Sequence, residues 1–348
     1  KRGFIVEKTV VLCALNAKYV HVSPAPWCLA AGVKAFAPEL YGRIRIIDAH
    51  INQPPSEVLE QIMSKEPAVA GFSCYIWNID ATLALCRALK RALPEVIIVL
   101  GGPEVSYRAG EVLQNNPEVD YILTGEGEES FPRFLRALFA GGRAGRIPDE
   151  TPRNLPGLCA RLPGGDVYES APCVLEGMPP SPLSAGYAEA ARGRIAYFET
   201  SRGCPYSCAF CLSGEGARPR FFELDELFGD LLRLAGSGVK TIKFVDRTFN
   251  ANAAHANRIL RFILDHYGKD IPAGVCFHFE IAGDILREET FALLEQMPPG
   301  AVQLEIGIQS FCEKALEAVN RKTNTALLES NIRRLVEMGN MHIHIDLI

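Results

Sequence analysis

Short β-branched runs separated by longer amphipathic ones recur along this chain, and that alternation restricts the fold more than any other feature. In the first 140 residues the runs are TVVLCAL (Thr9–Leu15), RIRIID (Arg43–Asp48), AVAGFS (Ala68–Ser73), VIIVLGG (Val96–Gly102) and YILTG (Tyr121–Gly125). Continuously apolar runs of this length read as strands covered on both faces, as in a parallel sheet. Between them lie SEVLEQIMSK and IDATLALCRALKRAL, with apolar residues three and four apart, as on one face of a helix. Repeated strand–helix units predict an open doubly wound sheet whose ligand sits beyond the carboxyl ends of the strands.

The pattern lapses over residues 141–193, where GGRAGRIPDETPRNLPGL and EGMPPSPLSAGYAEAARG are rich in Gly and Pro. This stretch is expected to be a linker, with one small hairpin around LCARLPGGDVYES. Alternation resumes in residues 194–348 with RIAYFET (Arg194–Thr200), KTIKFVD (Lys240–Asp246), GVCFHFEI (Gly274–Ile281), AVQLEIGI (Ala301–Ile308) and MHIHIDLI (Met341–Ile348). Intervals of roughly 25 to 45 residues per strand are those of a β/α barrel. The chain stops on its fifth barrel strand, which reads as a barrel truncated there and as a piece of a longer protein.

The 348 residues are 48% apolar and 22% charged, a composition that supports at least one large core. No run of 18 or more apolar residues marks a membrane span, and the opening KRGFIVEKTVVLCAL lacks the form of a signal peptide, so the expected address is the cytoplasm. A net charge of −5 without blocks of Lys or Arg gives no electrostatic sign of nucleic acid or membrane surface as partner. Eleven cysteines, an odd number without framework spacing, read as reduced thiols plus a ligand set.

That ligand set is SRGCPYSCAFC (Ser201–Cys211), where Cys204, Cys208 and Cys211 follow a strand directly with spacing C-x3-C-x2-C. Three thiolates can hold three corners of a 4Fe-4S cube and leave one iron open for chemistry. The competing reading is structural zinc, which wants four ligands, and the next His or Cys in sequence is His255.

With Phe210 before its last cysteine, this motif resembles the signature of the radical S-adenosylmethionine (SAM) superfamily. The resemblance implies a (β/α)6 barrel, a 4Fe-4S cluster on Cys204, Cys208 and Cys211, and SAM bound to the open iron and cleaved to a 5'-deoxyadenosyl radical. It also implies SAM contacts from Phe210 and from strand ends: Asp246 in KFVDRTFN, Glu280 in FHFEI, and Glu305 and Gln309 in LEIGIQS. SAM carries an ammonium, a carboxylate and a ribose diol, and these need carboxylates, donors and acceptors at such positions.

The first half lacks G-x-G-x-x-G after its first strand, which argues against a dinucleotide. Its strand-end loops GFSCYIWN, LGGPEVS and TGEGEES instead resemble those of cobalamin-binding domains that precede many radical SAM barrels. The resemblance places Ser73 and Tyr75 by the cobalamin nucleotide tail, and Gly101 and Gly102 where backbone approaches that tail closely. Gly125 and Glu126 are placed on the same rim; Glu126 and Glu128 suit the positive end of the following helix and face the corrin amides or only cap it. The D-x-H-x-x-G signature of methyl-carrying domains is absent: NAKYVHVS has Lys18 where Asp is expected, with His21 about one residue from the ligand position. A helix-entry hydrogen bond is the commoner fate of such a histidine. DAHINQ (Asp48–Gln53) follows the wrong strand and lacks the glycine.

Together GFSCYIWN, GGPEVS, SRGCPYSCAFCLS and KFVDRTFN resemble one largely uncharacterised subfamily of cobalamin-binding radical SAM proteins. The resemblance implies hydrogen removal from an unactivated carbon of an unspecified small-molecule or macromolecular substrate, followed by methylation or rearrangement, with flavodoxin or ferredoxin as electron donor. An unactivated C–H has no acidity for base catalysis, so cofactors must carry the chemistry. Two alternatives remain open. One is a methylthiotransferase with a second cluster on Cys13, Cys28, Cys74 and Cys86; the other is a non-catalytic cobalamin or redox sensor.

Overall fold

In the computed structural model, residues 9–140, 155–213 and 218–347 are described. They fall into two compact units, residues 1–187 and 188–348. The first unit runs β1 (Thr9–Asn16), α1 (Ala25–Phe36), α2 (Pro38–Tyr41), β2 (Ile44–His50), α3 (Pro55–Met63), β3 (Pro67–Ser73), α4 (Ile79–Ala92) and β4 (Ile97–Gly101). It continues with α5 (Pro103–Ser106), α6 (Ala109–Asn115), β5 (Tyr121–Leu123), α7 (Gly127–Ala140), β6 (Leu158–Arg161) and β7 (Val167–Glu169).

Seven strands form one sheet in the order β2-β1-β3-β4-β5-β6-β7, the first five mutually parallel. Successive residues of β1 feed opposite layers. Val11 and Cys13 pack with Ile62, Leu85 and Leu113 from α3, α4 and α6. Val10 and Leu12 pack with Val33, Phe131 and Phe134 from α1 and α7. A strand buried on both faces has no polar alternation to display, which is why these runs are continuously apolar. The chain order reverses between β1 and β3, so the loops after these two strands flank the switch point where such folds bind ligands.

The stretch expected to be a linker behaves differently where it is described. β6 and β7 form the hairpin and pair antiparallel onto β5, through Tyr121↔Ala160 and Leu123↔Leu158. Residues 155–187 belong to the first unit, and residues 141–154 lie outside the described residues. Leu158, Cys159 and Ala160 are buried, so a short strand hidden in Gly/Pro-rich sequence covers what would otherwise be an open edge.

The division falls at the start of α8 (Tyr187–Ala190), after which the second unit has β8 (Ile195–Phe198) and the two-residue strands β9 (Ser201–Arg202) and β10 (Arg220–Phe221). There follow α9 (Leu224–Gly236), β11 (Thr241–Phe244), α10 (Ala253–His266), β12 (Cys276–Ile281), α11 (Glu288–Glu295), β13 (Val302–Gln309), α12 (Glu313–Ala318), α13 (Thr325–Met338) and β14 (His342–Leu347). Five strands pair in parallel in the order β14-β13-β12-β11-β8, so spatial neighbours are sequence neighbours, as in a partial β/α barrel. In β13, Val302, Leu304, Ile306 and Ile308 are buried, while Gln303, Glu305, Gly307 and Gln309 occupy the other face. Sequence supplies helix boundaries too: Asn252 Oδ1 accepts from His255 N–H at the start of α10, and Gly339, at φ 67°, ends α13. Among the described residues no helix is long and apolar enough to cross a membrane.

Candidate active site

The cysteine loop leaves the C-terminal end of β8, and the antiparallel pairs Ser201↔Phe221 and Arg202↔Arg220 pinch its two ends together. Gly203, at φ 97°, turns the chain into the loop immediately before Cys204. Cys204 and Cys208 are buried and Cys211 is exposed; all three are free thiols. Cys204 Sγ lies 3.6 Å from Thr248 Oγ1, Cys211 Sγ accepts from Ser213 N–H at 3.4 Å, and Arg321 Nη1–H points at Cys208 Sγ across 3.9 Å. Phe210 leaves its ring half in solvent beside Cys211. Among the described residues no three His, Cys, Asp or Glu side chains converge where a single ion would sit. A cube spreads its thiolates over separate irons and does not ask for that convergence.

Asp246, expected to face a ligand, is 1% exposed and turned to another task. Its carboxylate accepts from Thr200 N–H (3.2 Å), Thr200 Oγ1–H (2.7 Å) and Ser201 Oγ–H (2.5 Å), the residues that launch the cysteine loop. Burial pushes its pKa up against these hydrogen bonds. His255 Nε2 lies 3.3 Å from Thr200 Oγ1, and burial lowers its pKa.

Glu280 and Glu305 stand side by side in register on β12 and β13. Burial first, and then the Glu305 charge, hold the Glu280 carboxyl above its usual range. Glu305 Oε2 also lies 2.9 Å from Nε2 of the buried His278, whose pKa burial depresses. Gln309 ends β13 beyond a register shift, at φ 68°, with its Oε1 buried and lacking a hydrogen-bond partner. A left-handed non-glycine residue with an unsatisfied acceptor at a strand end is stored strain of the kind found at ligand sites.

On the first unit's rim, Ser73 ends β3 in register with Gly101, and its buried Oγ has no hydrogen-bond partner. Tyr75 stacks on Trp77 with ring centroids 4.4 Å apart. Gly102, at φ 104°, is needed for internal packing: a Cβ there would lie 2.6 Å from Cys74 O. Gly125, at φ 81°, is pressed against Cys173, whose O would be 2.2 Å from an added Cβ. Gly101 is less constrained, with only Leu123 O at 3.3 Å. Glu126 Oε2 accepts from Leu175 N–H at 2.9 Å, tying down the segment that follows the hairpin. Glu128 is buried on α7. His21 is half-buried in the loop after β1, its N–H donating to Lys18 O at 3.1 Å.

Comparison with known proteins matches the B12 binding domain family to residues 14–135 and the Radical SAM superfamily to residues 198–348. The chain joins a B12 binding domain to a Radical SAM domain. It is 33% identical over 199 residues to 2-(S-pantetheinyl)-carbapenam-3-carboxylate methyltransferase of Streptantibioticus cattleyicolor, covering 53% of this chain and 28% of that one. It is 24% identical over 297 residues to hopanoid C-3 methylase of Methylococcus capsulatus, covering 81% and 53% respectively. The chain thus spans about half or less of these relatives' lengths. Its fold matches the radical SAM methyltransferase TsrM from Kitasatospora setae bound to tryptophan and a SAM analogue, with TM-score 0.73, 17% identity, and 96% of this chain and 67% of that one covered.

The Radical SAM domain also holds residues, beyond the cysteines, that act on the loop. Thr200, Ser201, Thr248, Asn320 and Arg321 shape the cysteine loop through contacts distant in sequence. Asn78 is the counterpart in the B12-binding domain. Its Nδ2 donates to Leu15 O and Ser73 O, each at 3.0 Å, and its Oδ1 accepts from Tyr75 N–H at 2.8 Å, so it bolts together the two strand ends at the switch point. Asn78→Ala strands three backbone groups, one in a buried hydrogen bond and two in part-buried ones. It is expected to cost about 2–4 kcal/mol of unfolding free energy, measurable by urea denaturation.

Proposed function

We propose that this chain is the cofactor-binding portion of a cobalamin-dependent radical SAM enzyme acting at an unactivated carbon, most simply a methyltransferase. The observation that carries the reading is the three-thiol loop, clamped at the C-terminal end of the first strand of an all-parallel sheet. Cys204, Cys208 and Cys211 would hold a 4Fe-4S cluster with one iron open. With SAM bound, such a cluster would supply the electron for reductive cleavage of SAM, and bound cobalamin would carry a methyl group.

The residues present suit these groups. Glu305, in register beside Glu280, adds to the burial that holds the Glu280 carboxyl above its usual range, a cost that a ligand ammonium would relieve. Gln309 Oε1 is an acceptor waiting for a donor such as a ribose hydroxyl. Phe210 offers an apolar ring beside the cysteines. Asp246 acts through Thr200 and Ser201 by fixing the start of the loop. In the first unit, Ser73 Oγ has its hydrogen-bonding capacity unspent at the switch point, where the cobalamin tail would lie beside Tyr75, Gly101 and Gly102. Gly125 and Glu126 would line the rim by keeping its backbone in place, and His21, half-buried in the loop after β1, is the candidate ligand to cobalt.

Support for a second cluster is weak. Cys13 and Cys74 sit in the hydrophobic core with thiols pushed up to about 12 by burial, and burial also pushes the core thiol of Cys86 well above its ordinary range. Such thiols stay protonated and pack as small apolar groups.

The test uses the full-length protein, reconstituted without oxygen with iron, sulfide and cobalamin, then given SAM with a deuterated methyl group and a reductant such as reduced flavodoxin or ferredoxin. About four irons per chain, 5'-deoxyadenosine formation and label on the bound cobalamin are expected. About eight irons would favour a methylthiotransferase. A full cluster and bound cobalamin with no 5'-deoxyadenosine would leave a sensor.

A further inference from the structure

Three consecutive residues after α12 grip three consecutive residues of the cysteine loop. Val319 O accepts from Ala209 N–H at 2.9 Å. Asn320 Nδ2 donates to Ser207 O at 3.2 Å and Ser207 Oγ at 2.6 Å. Arg321 Nη1–H faces Cys208 Sγ at 3.9 Å, while its Nη2–H bonds Gly307 O at the irregular end of β13.

The grip depends on how α12 stops. Asn320 takes φ 53°, a left-handed conformation that asparagine tolerates better than most residues. Asn320 N–H returns to Glu317 O at 3.0 Å and Arg321 N–H to Leu316 O at 2.9 Å, closing the helix end and throwing both side chains toward the loop. The guanidinium is a planar fork with one arm anchored on backbone, so its other arm holds its aim at the sulfur.

We infer that Asn320 and Arg321 are positioning residues for the cluster: Asn320 holds the loop's shape, and Arg321, through Cys208 Sγ, raises the cluster's reduction potential. This rests on the reading that the loop holds a 4Fe-4S cluster. A hydrogen bond to a ligand sulfur, carrying positive charge, draws electron density from the iron–sulfur bond and favours the more electron-rich reduced state.

The experiment measures the potential of the full-length protein, reconstituted with iron and sulfide and without SAM, by potentiometry followed with electron paramagnetic resonance. Arg321→Gln is expected to retain iron and move the potential more negative. Arg321→Lys, which keeps charge but not the anchored fork, is expected to fall between Arg321→Gln and the parent. Asn320→Ala is expected to lose iron to a chelator several-fold faster than the parent. A fully loaded Arg321→Gln at the parent potential overturns the role of Arg321. Should Arg321→Gln not retain its cluster, Arg321→Lys at the parent potential overturns that role. Asn320→Ala with parent chelation kinetics overturns the role of Asn320. A parent that takes up no cluster overturns the proposed function and this inference together, whereas a loaded parent with indifferent variants overturns this inference alone.

Discussion

Cys208→Ala is expected to abolish SAM cleavage and to drop bound iron from about four per chain to below about one. The site has only three protein thiolates, so losing one leaves two corners of a cube held and two to solvent. Cys208 is also the sulfur faced by Arg321, in a loop whose other contacts keep it in place without metal. The apo variant should therefore stay folded, with the parent's circular dichroism and melting behaviour. Cys312→Ala is the control. Cys312 is exposed and outside the loop, and its removal should leave iron and 5'-deoxyadenosine unchanged. Full iron in Cys208→Ala would mean that another residue completes the ligand set and that the open iron does not exist.

Gly125→Ala is expected to be among the most damaging single-methyl changes in the first unit. The new Cβ would sit 2.2 Å from Cys173 O and 2.5 Å from Cys173 N, both backbone atoms, at a φ of 81° that alanine adopts only under strain. The hydrogen bonds on either side, Cys173 N–H to Thr124 O at 3.1 Å and Glu126 N–H to Cys173 O at 2.8 Å, prevent the strand from yielding. A loss of about 3 kcal/mol or more in unfolding free energy is expected. Gly101→Ala, with ordinary φ and its Cβ 3.3 Å from Leu123 O, should cost under about 1 kcal/mol. Denaturant titration of both variants checks the contrast. Equal losses would show that the two glycines serve the same purpose.

The parallel strands were legible because burial on both faces forces continuous apolar runs, and β1 and β3 are that case. The cysteine loop was legible because its three thiols lie within eight residues of sequence. β6 was harder to place, since four residues amid Gly and Pro carry no periodicity, and only pairing with β5 makes them part of the sheet. Asp246 was found by its position at a strand end, yet position alone does not tell a ligand contact from a support. The triple acceptance from Thr200 and Ser201 makes it a support. Asn78, Asn320 and Arg321 escaped because their partners are remote in the chain or are backbone groups, which leave no motif. Gln309 was named for its place on β13, but its left-handed backbone and orphaned oxygen emerge only from the register shift before it.

The grip of Asn320 on Ser207 spans 113 residues. During synthesis the three thiols therefore emerge from the ribosome well before the segment that gives their loop its form. If the loop takes up a cluster in its folded form, delivery would come after the α12 turn has been made, and maturation factors would meet a barrel already built as far as its fourth strand.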